Sequence, residues 1–395
     1  MSGLETEAPV FSLRVLTSLA NDVRPDEWDA LVGDESPFLE WGWLASLEEA
    51  RCVGGKTGWM PQHLALYQDE RLVAACPLYV KSNSEGEFVF DYAWANGAER
   101  AGIEYYPKML VGVPFTPASG VRFLVAPDLD RAGVVRALGQ ALCELCTEHE
   151  LSSVHVNFCL PEEAAALAQV GYVERHGFQY KWRNQGYGNF DDYLSALRHK
   201  RRKEIKRERR ILDEQGVAIE ALVGDEIPDA IFEPMYRLYL TTVDKYYYGR
   251  RYLTPRFFEL LKGRFRKNLC FIVAWRHGQL LAGTFNVQKS GVLYGRYWGT
   301  AEELRHLHFN VCYYATVEHC IRSGFERFEP GAGGEFKWLR GFDPEPTRSM
   351  HWVRDPRLAD AVVRFLDVER REIERVIESM RAQSQVKGTA SEAEE

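Results

Sequence analysis

Apolar and polar positions alternate most regularly in two stretches of this chain. LALYQDERLVAACPLYVK (64–81) reads as strand, tight turn, strand, because alternating residues flank a short polar break. IVAWRHGQLLAGTFNVQK (272–289) reads the same way. Laid over each other at a spacing of 208, Leu72–Val73–Ala74–Ala75 meets Leu280–Leu281–Ala282–Gly283, and Lys81 meets Lys289. Each hairpin precedes a predicted strand around Trp, FDYAWA (90–95) and YGRYWG (294–299). Helices follow near VVRALGQALCELCTEH (134–149) and FNVCYYATVEHCIRSG (309–324), then short strands SSVHVNF (152–158) and ERFEPG (326–331). Similarity at a fixed spacing signals duplication. It predicts two domains of one fold, at 11–185 and 186–381, joined near 185–190. Antiparallel strands followed by a helix and a further strand give mixed α/β (α+β) layers, with helices covering a sheet.

The apolar pattern from 190 to 216, FDDYLSALRHKRRKEIKRERRILDEQG, predicts one helix, with Asp191 or Asp192 as N-cap and Gly216 beyond the C-terminus. Leu194, Leu197, Ile205 and Leu212 fall on one stripe, because their spacings are near whole turns of 3.6 residues. Within this helix, eight of the twelve residues of HKRRKEIKRERR (199–210) are Lys or Arg. Most face away from the stripe, as a solvated surface or a contact for nucleic acid. Arg201 belongs to the stripe itself. A charge on a packing face is costly unless it is paired or lines a cleft, so Arg201 is expected to meet either a ligand anion or an internal acid.

Composition narrows the class. The 395 residues are 46% hydrophobic and 13% aromatic, enough for more than one core. The net charge of −8 argues against general coating of nucleic acid but leaves room for a local basic patch. Apolar runs such as FIVAW (271–275) are far short of the roughly 20 residues that a membrane span needs. MSGLETEAPV lacks the basic and apolar regions of a signal peptide, and the eight Cys are irregularly scattered, so a cytoplasmic protein without a disulfide framework is expected. Residues 382–395, AQSQVKGTASEAEE, are poor in large apolar side chains and are expected to be a disordered tail. CELC (143–146), with His149 and His155 nearby, has no second CxxC, so buried thiols are expected rather than a metal site.

The strand order, together with FDDYLSALRHKRRKEIKRERR (190–210), LYGRYWG (293–299), LHFNVCYY (307–314) and FEPGAGGEFKWLRGFDP (328–344), resembles the FemAB-like family, a branch of acyltransferases with two tandem GNAT-like domains. The resemblance covers about residues 15–375. It implies transfer of an aminoacyl or acyl group from a carrier to an amine, with a cell-wall peptidoglycan precursor as the acceptor class and aminoacyl-tRNA as one donor. The family pattern has His where this chain has Phe336, and Glu where it has Asn310.

Amine acylation needs the donor held, the amine oriented and deprotonated, and the oxyanion stabilised. A coenzyme A pyrophosphate is usually cradled by a Gly-rich loop at a helix N-terminus. The corresponding loops here, GTAEELRHLHFN (299–310) and NGAERAGIEYYPK (96–108), are poor in Gly and carry acids. Acyl-CoA is therefore the less favoured donor, and no tightly bound cofactor is expected. In GAGGEFKWLRGF (331–342), Glu335 would take a proton from the amine and Lys337 would stabilise negative charge, unless this is merely a solvated turn. Period-two alternation puts Tyr294, Arg296 and Trp298 on one strand face and Tyr297 on the other. Arg296 either binds a carboxylate or phosphate or stacks on its neighbours. His308 is an acid/base candidate or a local hydrogen-bonding residue. Asn286, Asn310, Tyr246 and Arg340 complete the expected substrate contacts, with Tyr246 in the Tyr-rich stretch TTVDKYYYGRRYL (241–253), either an acceptor lid or a cover for core edges. The competing readings are a catalytically idle GNAT-like binding protein and an acyl-CoA-dependent N-acetyltransferase.

Overall fold

A computed structural model describes residues 10–245 and 250–387, and for Glu335 the backbone alone. Two compact units are present, and neither is a contiguous half of the chain. The first comprises residues up to 114, then 119–175 and 348–364; the second comprises 115–118, 176–347 and the remainder. The expected single joint near 185–190 is replaced by several crossings.

The first unit holds two sheets. Phe11–Leu16, His63–Gln68, Arg71–Cys76 and Leu124–Val125 form an antiparallel set. Pro77 cannot donate to a ladder, and there the chain passes to a second set: Trp59–Pro61, Leu78–Lys81, Lys108–Val111, Ser153–Asn157 and the end of Asp343–Val353. One face of this set carries Leu78, Met109, Val154, Val156 and Met350 in a core shared with the helix Arg131–Glu148. Cys143 and Cys146 are part of that core, and burial pushes the Cys146 thiol up to about 12.

The other face is polar yet buried. Lys108 Nζ donates to Glu87 at 2.9 Å, to Ser84 at 3.0 Å and to Asp91, while Lys81 lies 3.8 Å from Glu87 and 3.8 Å over the Trp59 ring. FDYAWA does not form the expected strand. Tyr92–Arg100 is a helix that buries Trp94 and Ala98, four residues apart, over this polar layer. Alternation across six residues lost to helix-forming Ala and an i,i+4 buried pair.

The second unit begins with an antiparallel meander of Val217–Val223, Leu269–Arg276, Gln279–Lys289 and Val292–Thr300. The duplication is visible in detail. Both hairpins shift register at equivalent points, Leu66/Tyr67 and Ala274/Trp275, and both turns place a left-handed residue, Asp69 and His277, 208 apart. The helical segment Leu307–Arg322 contains a π turn at Asn310–Tyr314. Arg327–Glu329 then pairs in parallel with Val292–Tyr294.

The expected single helix at 190–216 is two helices, Phe190–Ala196 and His199–Glu214. Asn189 is the N-cap of the first, accepting from Asp192 N, in place of Asp191 or Asp192; Gly216 does follow the second, at φ +69°. Leu197 and Arg198 are extended, because Leu197 bridges to Val386 and Arg198 N donates to Gln385 O at 3.0 Å. This also corrects the expected disordered tail across 382–387, the rest of which, 388–395, lies outside the described residues: Ala382 ends a helix, Val386 is 4% exposed, and Ser384 donates to Asp343 at 2.8 Å. A strand contact and a polar anchor order a segment whose composition alone has little to pack.

Candidate functional site

In the second unit the parallel pairing stops at Tyr294 opposite Glu329. Pro330 has no N–H with which to continue it. Val292–Thr300 runs on, while Pro330–Gly334 turns away, and the parting strands open a cleft of about 760 Å³. Trp298, His308, Phe309, Tyr313, Phe336 and Lys337 line it. Helix Phe232–Val243 flanks the cleft through Thr241 and Thr242, and Thr242 donates to Trp298 O at 2.6 Å. A Cβ on Gly299 would stand 1.8 Å from Leu238 O, so only glycine permits this approach. In the first unit, the parallel strands Lys108–Val111 and Ser153–Asn157 are followed by a filled region. Arg122, 1% exposed, donates to Asn157 O at 2.6 Å, and Glu163 accepts from Arg122 N at 2.8 Å and Phe123 N at 2.9 Å.

Three expected residues, Lys337, His308 and Trp298, share the cleft. Lys337 is 3% exposed and donates to Gly331 O at 2.7 Å and Ala332 O at 3.2 Å. Burial pulls its pKa down to about 8. Burial and the nearby Arg340 and Lys337 charges pull His308 down to about 4. A ring so held is neutral at neutral pH. It packs on Trp298, with centroids 4.7 Å apart, and on Phe336. Glu335 opens the short 3₁₀ helix Glu335–Arg340; its side chain lies outside the described atoms.

Behind Trp298 and His308, Asn286, Arg296 and Tyr297 line an inner recess of about 100 Å³ with Thr284 and Cys312. A bulge here corrects the expected alternation. Asn286 pairs with Gly295 and Phe285 with Tyr297, so Arg296 is an extra residue and Tyr294 and Trp298 fall on opposite faces. Arg296 donates to Phe115 O, and Tyr297 packs on Tyr239 and Phe285.

The remaining expected contacts lie elsewhere. Asn310 is buried away from the cleft and donates to His306 O at 2.9 Å and Glu208 O at 3.2 Å. Arg201 and Arg340 line a separate hollow of about 210 Å³. Arg201 is half-buried and donates to Glu204 at 2.6 Å, so its partner is an acid one turn on. Arg340 stacks over Phe309 at 3.5 Å and reaches Glu208 at 3.3 Å. Tyr246 lies outside the described residues. Sequence reasoning missed Thr241, Thr242, Tyr313 and Glu208. Glu208 was within reach: counted from Ile205 alone, the buried face of the basic helix runs Ile205, Glu208, Leu212.

The FemAB-like family model, described as peptidoglycan biosynthesis and recognition, matches residues 19–388, and the chain belongs to this family. Among solved structures, FemX is 12% identical at a TM-score of 0.54, covering 86% of this chain and 98% of that one. The C-terminal domain of a putative lysylphosphatidylglycerol synthetase from Agrobacterium fabrum is 12% identical at 0.54, covering 88% and 96%. L-PGS from Bacillus licheniformis is 9% identical at 0.51, covering 87% and 96%. No curated protein sequence matches the chain. The fold is that of two tandem GNAT-like domains. Among the described residues no helix is long and apolar enough to cross a membrane.

Proposed function

We propose that this chain is an N-acyltransferase of the cytoplasm whose reaction takes place in the cleft of the second unit. The observation that carries the reading is the Lys337 amine, buried among aromatic rings where two strands part. The acceptor amine attacks the carbonyl carbon of an acyl ester and a C–N bond forms. Charge gathers on the carbonyl oxygen, where the Lys337 ammonium opposes it. The C–O bond to the carrier then breaks, the carrier oxygen takes up a proton, and the amine loses one to Glu335 or water. Neutral His308 and Trp298 wall the acyl group from solvent. The acceptor class is a peptidoglycan precursor, in keeping with the family.

The donor is an aminoacyl-tRNA or another carrier-bound acyl group rather than acyl-CoA. The loop that would face a pyrophosphate carries Glu302, 3.3 Å from Arg276, and Glu303, 2.5 Å from Lys245. The turn before the helical segment Leu307–Arg322 has no Gly between Ala301 and His306 to bring backbone N–H groups close to phosphates. In the basic helix, Lys200, Lys203 and Arg207 are exposed and available to tRNA phosphates. Thermal shifts and transfer assays with tRNA, aminoacyl-tRNA, acetyl-CoA and a UDP-linked muropeptide test the reading. Stabilisation by tRNA that fades steeply with salt supports it. Stabilisation by acetyl-CoA alone overturns the donor assignment, and failure to transfer from every donor overturns the activity.

A further inference from the structure

We infer that Glu208 is the positioning residue of this cleft: one buried carboxylate fastens both of its walls and so fixes where the Lys337 amine stands. The inference rests on the acyl-transfer reading only for its catalytic consequence; its structural content is independent.

Glu208 lies on the inner face of the basic helix, 5% exposed. Tyr314 donates its hydroxyl to Glu208 Oε2. Tyr314 is the last residue of the π turn, directly after Tyr313, which lines the cleft. Arg340 Nη2 stands 3.3 Å from the same oxygen, and Arg340 Nε donates to the Tyr314 hydroxyl at 2.8 Å. Arg340 Nη1 donates to Phe336 O at 2.9 Å. Arg340 also closes the 3₁₀ helix that carries Lys337, three residues earlier and so one full turn away. His306, which starts the other wall in a left-handed conformation, has Nδ1 3.7 Å from Glu208 Oε1.

One carboxylate thus meets a group from each wall. Replacing a buried ion pair by apolar side chains is often neutral for stability, so bulk cohesion does not require this arrangement. What it supplies is a fixed distance between the π turn and the 3₁₀ helix. None of Glu208, His306, Tyr314 and Arg340 is among the residues that line the cleft, so Glu208 acts through Lys337.

The test is an NMR titration of lysine ε-carbons in the full chain, with the Lys337 signal assigned by its loss in Lys337→Met. Wild-type Lys337 is expected to titrate near 8. In Glu208→Gln, loosened walls admit water, and the value rises towards that of a free lysine by about one unit. Tyr314→Phe, which removes one hydroxyl, shifts it the same way by less. The sign is decisive, because loss of a negative charge by electrostatics alone would lower the value. An unchanged or lowered Lys337 value in folded Glu208→Gln overturns the inference. Should Glu208→Gln not fold, an unchanged value in Tyr314→Phe does so. If transfer is measurable, kcat falls about tenfold with KM little changed. Absence of transfer from all donors counts against the acyltransferase reading alone, since the titration still decides the role of Glu208.

Discussion

Lys337 is a lysine whose surroundings make its charge conditional. Burial holds its pKa near 8, so the ammonium that would oppose an oxyanion is present below that value and lost above it. The rate is expected to fall as pH rises through about 8. Lys337→Arg, slower through misfit but charged throughout, should lose that descending limb. Lys337→Met should lower kcat by about 10²-fold below pH 8, with the gap to wild type narrowing above it as wild type loses its own charge. Both are read from pH–rate profiles of the purified enzyme. Lys81 makes the opposite kind of statement, about stability. Its pKa drops from 10.5 to about 7 through burial. Between those values the unfolded chain binds a proton that the folded chain does not. Stability therefore rises with pH across that window, and below about 7 the cost of charging a buried amine is fully present. Lys81→Met should be more stable than wild type near pH 6.5 and show a flatter rise towards pH 9.5 in urea melts. Lys337 adds a smaller slope of the same sign.

Among the elements, those set by their own residues were legible and those set by distant partners were not. The hairpins at 64–81 and 272–289 follow from alternation, and their matching register shifts repeat the 208-residue spacing. The helix at 190–216 breaks at Leu197 because Val386 bridges there, a partner far along the chain that periodicity cannot see. Counting the apolar stripe through that break drew attention to Arg201 and away from Glu208. The candidate site divides in the same way. Lys337, His308 and Trp298 stood out in the sequence, whereas the bulge at Arg296 depends on pairing with Gln279–Lys289 and reversed the expected faces. Placing a carboxylate at Val386 tests the bridge. Val386→Asp should cost roughly 3 kcal/mol in denaturant melts, because the charge is buried without a partner. Amide exchange should then quicken first at Leu197–Arg202.

For the molecule as a whole, the mismatch between sequence repeats and compact units has a direct test. Residues 348–364 belong to the first unit, where Ser349–Val353 pairs with Ser153–Asn157. A fragment of residues 1–185 would expose that strand edge and lack His351, whose ring packs against Trp94. It is expected to give no dispersed NMR spectrum, while a fragment mixed with residues 186–395 regains one. If the 1–185 fragment folds alone, the division into discontinuous units is wrong. The late return of residues 348–364 also orders events in time. On the ribosome, where domains usually fold from the N-terminus onward, the first unit emerges without one of its strands and waits while the whole of 176–347 is translated. The unit that starts first therefore cannot close until most of the other has been made, and during that interval its unpaired strand is open to chaperones or to other nascent chains.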